Sequence, residues 1–167
     1  GRVAVITGGG RGLGREYALL LAAQGCKIVV NDNGSAIIGE GSDAGPAEEV
    51  VAEIKAAGGE AIAVTDSVAT EAGGNAIIQK AIDTWGRIDI LVNNAGLGAL
   101  AETPDMDEEL WDKVFAINTK AIYLFCKYAI PVMRAQGGAI INVASISGLG
   151  GDYGMGVYNA SKGAVIN

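Results

Sequence analysis

The sequence predicts an α/β fold in which a doubly wound parallel sheet carries helices on both faces. Short apolar runs rich in β-branched residues alternate with helical stretches along the whole chain. A glycine-rich turn joins the first such run to the first helix, and polar residues stand directly after the strands at Thr7, Asp32, Asp66, Asn93 and Ser145. Packing alone does not require that clustering. Half of the 167 residues are apolar, which is enough for one domain with a sizeable core.

The first strand, residues 3–7, is followed at once by Gly8-Gly9-Gly10-Arg11-Gly12-Leu13-Gly14 and a helix over 12–24. Glycines let the backbone turn tightly and approach a pyrophosphate, which would sit against the N–H groups of the helix opening near Gly12. Taken alone, such a turn is equally a flexible loop or a helix cap. The second strand, 26–31, ends at Asp32, eighteen residues beyond Gly14. A carboxylate at that distance accepts hydrogen bonds from an adenosine ribose and repels a 2′-phosphate, so NAD is expected ahead of NADP. Asn33 brings no opposing positive charge, and Arg11 is either a contact for a 2′-phosphate or a solvated surface group. Strand, glycine turn, helix and distant acid together make a Rossmann-type arrangement.

The connection 33–45 carries four glycines and reads as a mobile flap or edge loop, after which Pro46 opens a helix over 46–57. A third strand, 61–65, leads to Asp66 and Ser67, and a helix follows over 72–85. The fourth strand, 88–92, runs into Asn93-Asn94-Ala95-Gly96, which by itself is an ordinary turn. A long helix over 107–135, a fifth strand over 139–143 and a helix opening near Met155 complete the order. Right-handed crossovers place helices on both faces and ligands outside the carboxyl ends of the strands. There is no internal repeat.

Tyr158 and Lys162, in Tyr158-Asn159-Ala160-Ser161-Lys162, are four apart on a helix and so share one face. An ammonium near the phenol favours its ionised form and makes it a usable acid and base. Ser145 lies thirteen positions before Tyr158. Separately, each has a plainer reading: a half-buried aromatic, a solvated lysine, a strand-end turn residue.

The chain resembles the short-chain dehydrogenase/reductases. Thr7-Gly8-Gly9-Gly10-Arg11-Gly12-Leu13-Gly14, Asn93-Asn94-Ala95-Gly96, Ser145 and Tyr158-Asn159-Ala160-Ser161-Lys162 occur in that family's order and spacing, and the match runs from Val3 to the last residue. The TGxxxGxG spacing is similar to the compact single-domain branch rather than the extended branch, and three residues between Tyr158 and Lys162 set the chain apart from enoyl reductases. The resemblance implies a single NAD(P)-binding domain over 1–167 with catalytic Asn118, Ser145, Tyr158 and Lys162. It implies cofactor contacts at Gly8, Arg11, Gly12, Leu13, Gly14, Asp32, Asp66, Ser67, Asn94, Ala95, Gly96, Tyr158 and Lys162. Asp66 would contact the adenine, although an exposed cap for the next helix remains open. Asn93 would steady the sheet, and Asn118 would hold a water near the lysine. Tyr158 would exchange a proton with a secondary alcohol or ketone while hydride moves between the same carbon and the nicotinamide, with Ser145 holding the substrate oxygen.

Residues 29–32 and 45–51 look like the corresponding stretches of hydroxyacyl-CoA dehydrogenases within the family, so a 3-hydroxyacyl thioester is one candidate substrate. The resemblance also implies a homodimer or homotetramer built on helix 107–135 and the helix after Met155. It implies that two further strands and most of the substrate lid follow Asn167, so the sheet is expected to lack its C-terminal strands. The alternative is a non-catalytic NAD-binding or assembly module, which would have no need of Asn118, Ser145, Tyr158 and Lys162.

Twelve basic against nineteen acidic residues give a net charge of −7, with no basic cluster to track a phosphate backbone, so nucleic acid is not an expected partner. The best apolar run, 121–133, is broken by Lys127 and Pro131 and is too short to span a bilayer. Cys26 and Cys126 lack metal-ligand spacing and there is no histidine, so no metal is expected. Two Asn-x-Ser matches, at Asn33 and Asn159, are read as chance, because no secretory signal precedes them and the second falls in the proposed catalytic helix. The expected compartment is the cytoplasm.

Overall fold

The computed structural model describes residues 1–35 and 43–167. Five strands, β1 (Val3–Thr7), β2 (Lys27–Asn31), β3 (Ala61–Val64), β4 (Ile90–Asn93) and β5 (Ala139–Asn142), form one sheet in the order β3-β2-β1-β4-β5. Every pairing is parallel. The chain moves outward from β1 to β3, then returns to place β4 on the other side of β1. That reversal leaves a crevice beyond the carboxyl ends of β1 and β4.

Alternation along β1 sends its side chains to opposite faces. Val3 and Val5 pack with Ile77, Ile78, Phe125 and Ala129 from α3 (Glu71–Trp85) and α5 (Ala121–Met133). Ala4 and Ile6 pack with Ala18, Val50 and Ile54 from α1 (Gly12–Ala23) and α2 (Gly45–Ala56). All four β1 residues are fully buried, so helices cover both faces at the centre of the sheet. A smaller cluster of Leu97, Ala99, Val114 and Val157 joins the loop after β4 to α4 (Glu108–Phe115) and α6 (Gly156–Ile166).

Most expected boundaries shift by one or two residues, and three differences bear on the architecture. Strand β4 begins at Ile90 rather than 88, because the Asp89 carboxylate receives the Val3 N–H at 2.8 Å before the ladder starts. Helix α2 begins at Gly45, which makes Pro46 its second residue. The helix expected over 107–135 is interrupted by a π turn, Ala116–Lys120, between α4 and α5. The flap expected within 33–45 falls largely on residues 36–42, which lie outside the described residues. No helix among the described residues is long and apolar enough to cross a membrane, and they hold no cluster of side chains suited to a metal ion.

Candidate active site

The glycine turn owes its shape to close backbone approaches. Gly8 has a φ of +61°, which disfavours a side chain, and a Cβ there would stand 2.9 Å from the Ala95 Cα. A Cβ on Gly14 would stand 2.0 Å from the Gly8 carbonyl oxygen, so only glycine lets α1 press beneath the turn. Asn94 locks the turn to β4. Its Nδ2 donates to the carbonyls of Thr7 and Gly8, both at 3.0 Å, while the Asn94 and Ala95 N–H groups both donate to Thr7 Oγ1. No side chain caps the start of α1, which leaves its first turn to a ligand or solvent.

A cleft of about 240 Å³ opens beside this turn. Eight of the expected cofactor residues line it: Gly8, Arg11, Asp32, Asp66, Ser67, Asn94, Ala95 and Gly96. Gly12, Leu13, Gly14, Tyr158 and Lys162 are not among its walls. Leu13 is 61% exposed and Gly14 is buried beneath the turn. The Asp32 carboxylate is fixed from two sides, accepting from Gly10 N at 2.9 Å and Gly34 N at 2.8 Å. Arg11 donates to the Ser35 carbonyl at 3.3 Å. The alternative role for Asp66 falls away, because α3 is capped by Thr70, whose Oγ1 accepts from Gly73 N at 3.1 Å. Asp66 remains exposed at the cleft, and its carbonyl accepts from Asn31 Nδ2 at 2.9 Å.

The donor set fits a dinucleotide. A Cβ would fill the approach at Gly8, the first turn of α1 lacks a side-chain cap, and a fixed carboxylate stands at the far end of the cleft. Asn31, Asn33, Ser35, Val68, Leu97 and Ile117 also line the cleft and were not singled out in the sequence. The polar run Asn31-Asp32-Asn33 at a strand end was the signal available for the first two.

At the other end of the crevice, Lys162 is 4% exposed, and its Nζ donates to the Val143 carbonyl at 2.8 Å. Burial pulls its pKa below the ordinary lysine value. The ammonium stands 5.9 Å from the Tyr158 ring centroid, on the shared helix face that the four-residue spacing requires. A Cβ on Gly96 would lie 3.5 Å from Lys162 Nζ and 3.6 Å from Asn118 Oδ1, so these groups meet where the cleft ends.

Asn118, 1% exposed, is committed to structure. Its Oδ1 accepts from Leu97 N at 2.7 Å, and its Nδ2 donates to Leu97 O at 3.0 Å and to Ser161 Oγ at 2.9 Å. Ser161, fully buried between the two motif ends, was missed in the sequence. Ser145 is half-buried, and its Oγ accepts from Ser147 N at 3.2 Å, capping the short turn Ile146–Gly148 that rests on α6 beside Lys162. Among the described residues no hydrogen bond joins Ser145, the Tyr158 hydroxyl and Lys162 directly. Asn93 Nδ2 donates to Asn142 Oδ1 at 2.9 Å across β4 and β5, while its own buried Oδ1 has no partner.

Comparison with known proteins agrees with this geometry. A family model described as short chain dehydrogenase matches residues 2–167. The peroxisomal hydratase-dehydrogenase-epimerase of Neurospora crassa is 45% identical over 163 residues, covering 97% of this chain and 18% of that protein. The peroxisomal multifunctional enzyme type 2 of Drosophila melanogaster is 45% identical over 170 residues, covering 99% of this chain and 27% of that protein. Among solved structures, a short chain dehydrogenase from Mycobacterium avium superposes with a TM-score of 0.89 at 40% identity, over 98% of this chain and 59% of the other. A short chain dehydrogenase/reductase from Burkholderia phymatum in complex with NAD gives 0.91 at 35% identity, over 99% and 57%. The chain therefore spans a minor part of these curated relatives and somewhat over half of the solved ones. With a family match from residue 2 to residue 167, and relatives and solved structures 35–45% identical over nearly all of it, the chain belongs to the short-chain dehydrogenase/reductase family.

Proposed function

We propose that this chain forms the nucleotide-binding and catalytic part of an NAD-dependent oxidoreductase acting on a secondary alcohol or its ketone, with Tyr158 as the proton-transfer group. The observation that carries this reading is the buried Lys162 ammonium, held at Val143 O and 5.9 Å from the Tyr158 ring, at the end of a cleft built for a dinucleotide. A nicotinamide dinucleotide, when bound, supplies the hydride acceptor or donor.

The chain's own residues do the rest. Tyr158 takes the alcohol proton, or returns it in the reductive direction, and the positive charge of Lys162 steadies the oxygen as that proton moves. Lys162 would also hold the nicotinamide ribose of a bound dinucleotide. Ser145 Oγ accepts from Ser147 N through a lone pair, which leaves its hydrogen free to donate to the substrate oxygen. The side-chain amide of Asn118 is already engaged by Leu97 and Ser161, so a water held beside Lys162 would bond to backbone of the π turn rather than to that amide. Asp32, fixed by two backbone N–H groups, favours a ribose over its 2′-phosphate and so NAD over NADP.

A 3-hydroxyacyl thioester is the substrate we favour. It rests on the stretches around β2 and α2, and on a relative whose name couples a dehydrogenase to a hydratase. Hydration of a 2-enoyl group makes the β-hydroxy carbonyl that such a dehydrogenase would oxidise. We also infer a homodimer or homotetramer, which light scattering would measure. Cytoplasmic residence suits the two unpaired cysteines, although the two curated relatives above carry peroxisomal names.

The test uses the full-length polypeptide carrying this sequence, with NAD or NADP and a panel of secondary alcohols and 3-hydroxyacyl thioesters, followed at the reduced-nicotinamide absorbance band. Turnover with NAD should fall roughly 10²- to 10⁴-fold in Tyr158→Phe while NADH binding stays largely intact. Nucleotide binding without turnover in the wild type would favour a non-catalytic module instead.

A further inference from the structure

We propose that Gly34 is a positioning residue for cofactor selectivity: by closing the neck of the connection between β2 and α2 it holds the Asp32 carboxylate in the attitude that receives an adenosine ribose. The inference rests on the dinucleotide reading above. Two described segments, 33–35 and 43–45, come together beside the cleft. Asp43 N donates to Asn33 O at 2.8 Å, and Gly34 lies under the Asp43 main chain. A Cβ on Gly34 would stand 1.9 Å from the Asp43 carbonyl oxygen, closer than any non-bonded pair of heavy atoms tolerates, and its φ is +69°. No other residue type closes this neck without displacing one side of it.

The neck bears on the cofactor through one bond. Gly34 N donates to Asp32 Oδ1 at 2.8 Å, and Gly10 N holds Oδ2 from the opposite side at 2.9 Å. With both oxygens tethered, the carboxylate has one orientation, and its remaining lone pairs are left for the ligand. The far side of the neck is anchored in turn, because Asp43 Oδ1 accepts from Gly45 N at 2.9 Å where α2 begins. Opening the neck would release Oδ1 and let the carboxylate turn away. A ribose would lose an acceptor that was set in advance, whereas a 2′-phosphate would lose a repulsive charge. Affinity for NADH should fall while affinity for NADPH holds or rises.

The experiment measures Kd for NADH and NADPH by nucleotide fluorescence on the full-length polypeptide, alongside the thermal midpoint, for wild type, Gly34→Ala, Asp32→Ala and the double variant. Asp43→Pro opens the neck from the other side, by removing the N–H that Asn33 O accepts, and serves if Gly34→Ala does not fold. Either neck variant should weaken NADH roughly tenfold and change NADPH less than about threefold, and the double variant should match Asp32→Ala within about twofold because Gly34 acts through Asp32. Unchanged selectivity in the neck variants, equal loss of both nucleotides, or losses that multiply in the double variant would each overturn the inference while leaving the dinucleotide reading intact. Wild-type protein that binds neither nucleotide would overturn that reading and this inference with it.

Discussion

Asn118 Nδ2 donates to Ser161 Oγ at 2.9 Å, and this bond, with Thr119 Oγ1 donating to Ser161 O at 3.2 Å beside it, ties the π turn to the helix that carries Tyr158 and Lys162. Both side chains are buried, so neither can exchange its partner for water. Asn118→Ala would strand Leu97 N and Leu97 O together and leave Ser161 Oγ with only its bond to Tyr158 O, whereas Ser161→Ala strands one amide hydrogen. The expected loss is about 1–3 kcal/mol for Ser161→Ala and larger for Asn118→Ala, read from denaturant midpoints. Turnover should fall in both, because the mooring of α6 loosens under Tyr158. A Ser161→Ala protein with unchanged stability and rate would show that the bond carries no part of the site's rigidity.

Gly14→Ala makes a second test, since alanine is the better helix former by about 1 kcal/mol and sequence propensity alone would predict stabilisation. The new Cβ would meet the Gly8 carbonyl at 2.0 Å and Asn94 Nδ2 at 2.6 Å, and neither can move without disturbing the turn. Overpacking of that kind costs about 1–3 kcal/mol. The thermal midpoint should drop, and NADH fluorescence enhancement should disappear. A rise in the midpoint with binding retained would mean that α1 and the turn are looser than the packing shows.

Much of this arrangement was legible in the residues, for identifiable reasons. The alternation of Val3 and Val5 against Ala4 and Ile6 is a local pattern with one geometric solution, a strand buried on both faces. The four-residue step from Tyr158 to Lys162 fixes a shared helix face wherever the helix lies. Other features depend on partners remote in sequence. The π turn answers to Leu97 and Ser161, 21 and 43 residues from Asn118, and nothing local announces it. Thr70 rather than Asp66 caps α3 because cap geometry depends on where the chain leaves β3, and either oxygen satisfies the sequence rule. The commitment of the Asn118 amide likewise became visible only once the loop after β4 lay against α6.

At the opposite end of β4, Asp89 supports a prediction about acid stability. Its carboxylate accepts from Arg87 at 2.6 and 2.9 Å and from Val3 N at 2.8 Å. The Arg87 hydrogen bonds hold its pKa below the ordinary aspartate value, against the opposing effect of burial. A carboxylate whose folded pKa is depressed stabilises the fold fully above its unfolded pKa, and that contribution fades as pH falls toward the folded value. Asp89→Asn should therefore cost stability at neutral pH, about 1–3 kcal/mol from the lost charge-assisted bonds, and flatten the decline of the thermal midpoint on the acid side. Parallel midpoint curves for variant and wild type would show that other carboxylates govern the acid limb. Turnover at neutral pH should be unaffected, since Asp89 lies at the end of the sheet remote from the cleft.

Lys162 gives the complementary prediction on the alkaline side. Burial lowers its pKa, and Val143 O is a neutral partner that does little to restore it. The ammonium is charged below that lowered value and loses its charge above it, so the support proposed for Tyr158 should fail before the pH reaches the ordinary lysine range. The rate kcat/KM should then fall on an alkaline limb displaced downward from ordinary lysine titration. Linkage runs the other way for folding. Charging a buried lysine disfavours the folded state, so this one group adds stability as pH rises through the interval between its folded and unfolded values. Lys162→Arg, charged throughout the accessible range, should lower kcat through misfit yet remove the alkaline limb. If the arginine variant keeps that limb at the same pH, the titrating group is not Lys162.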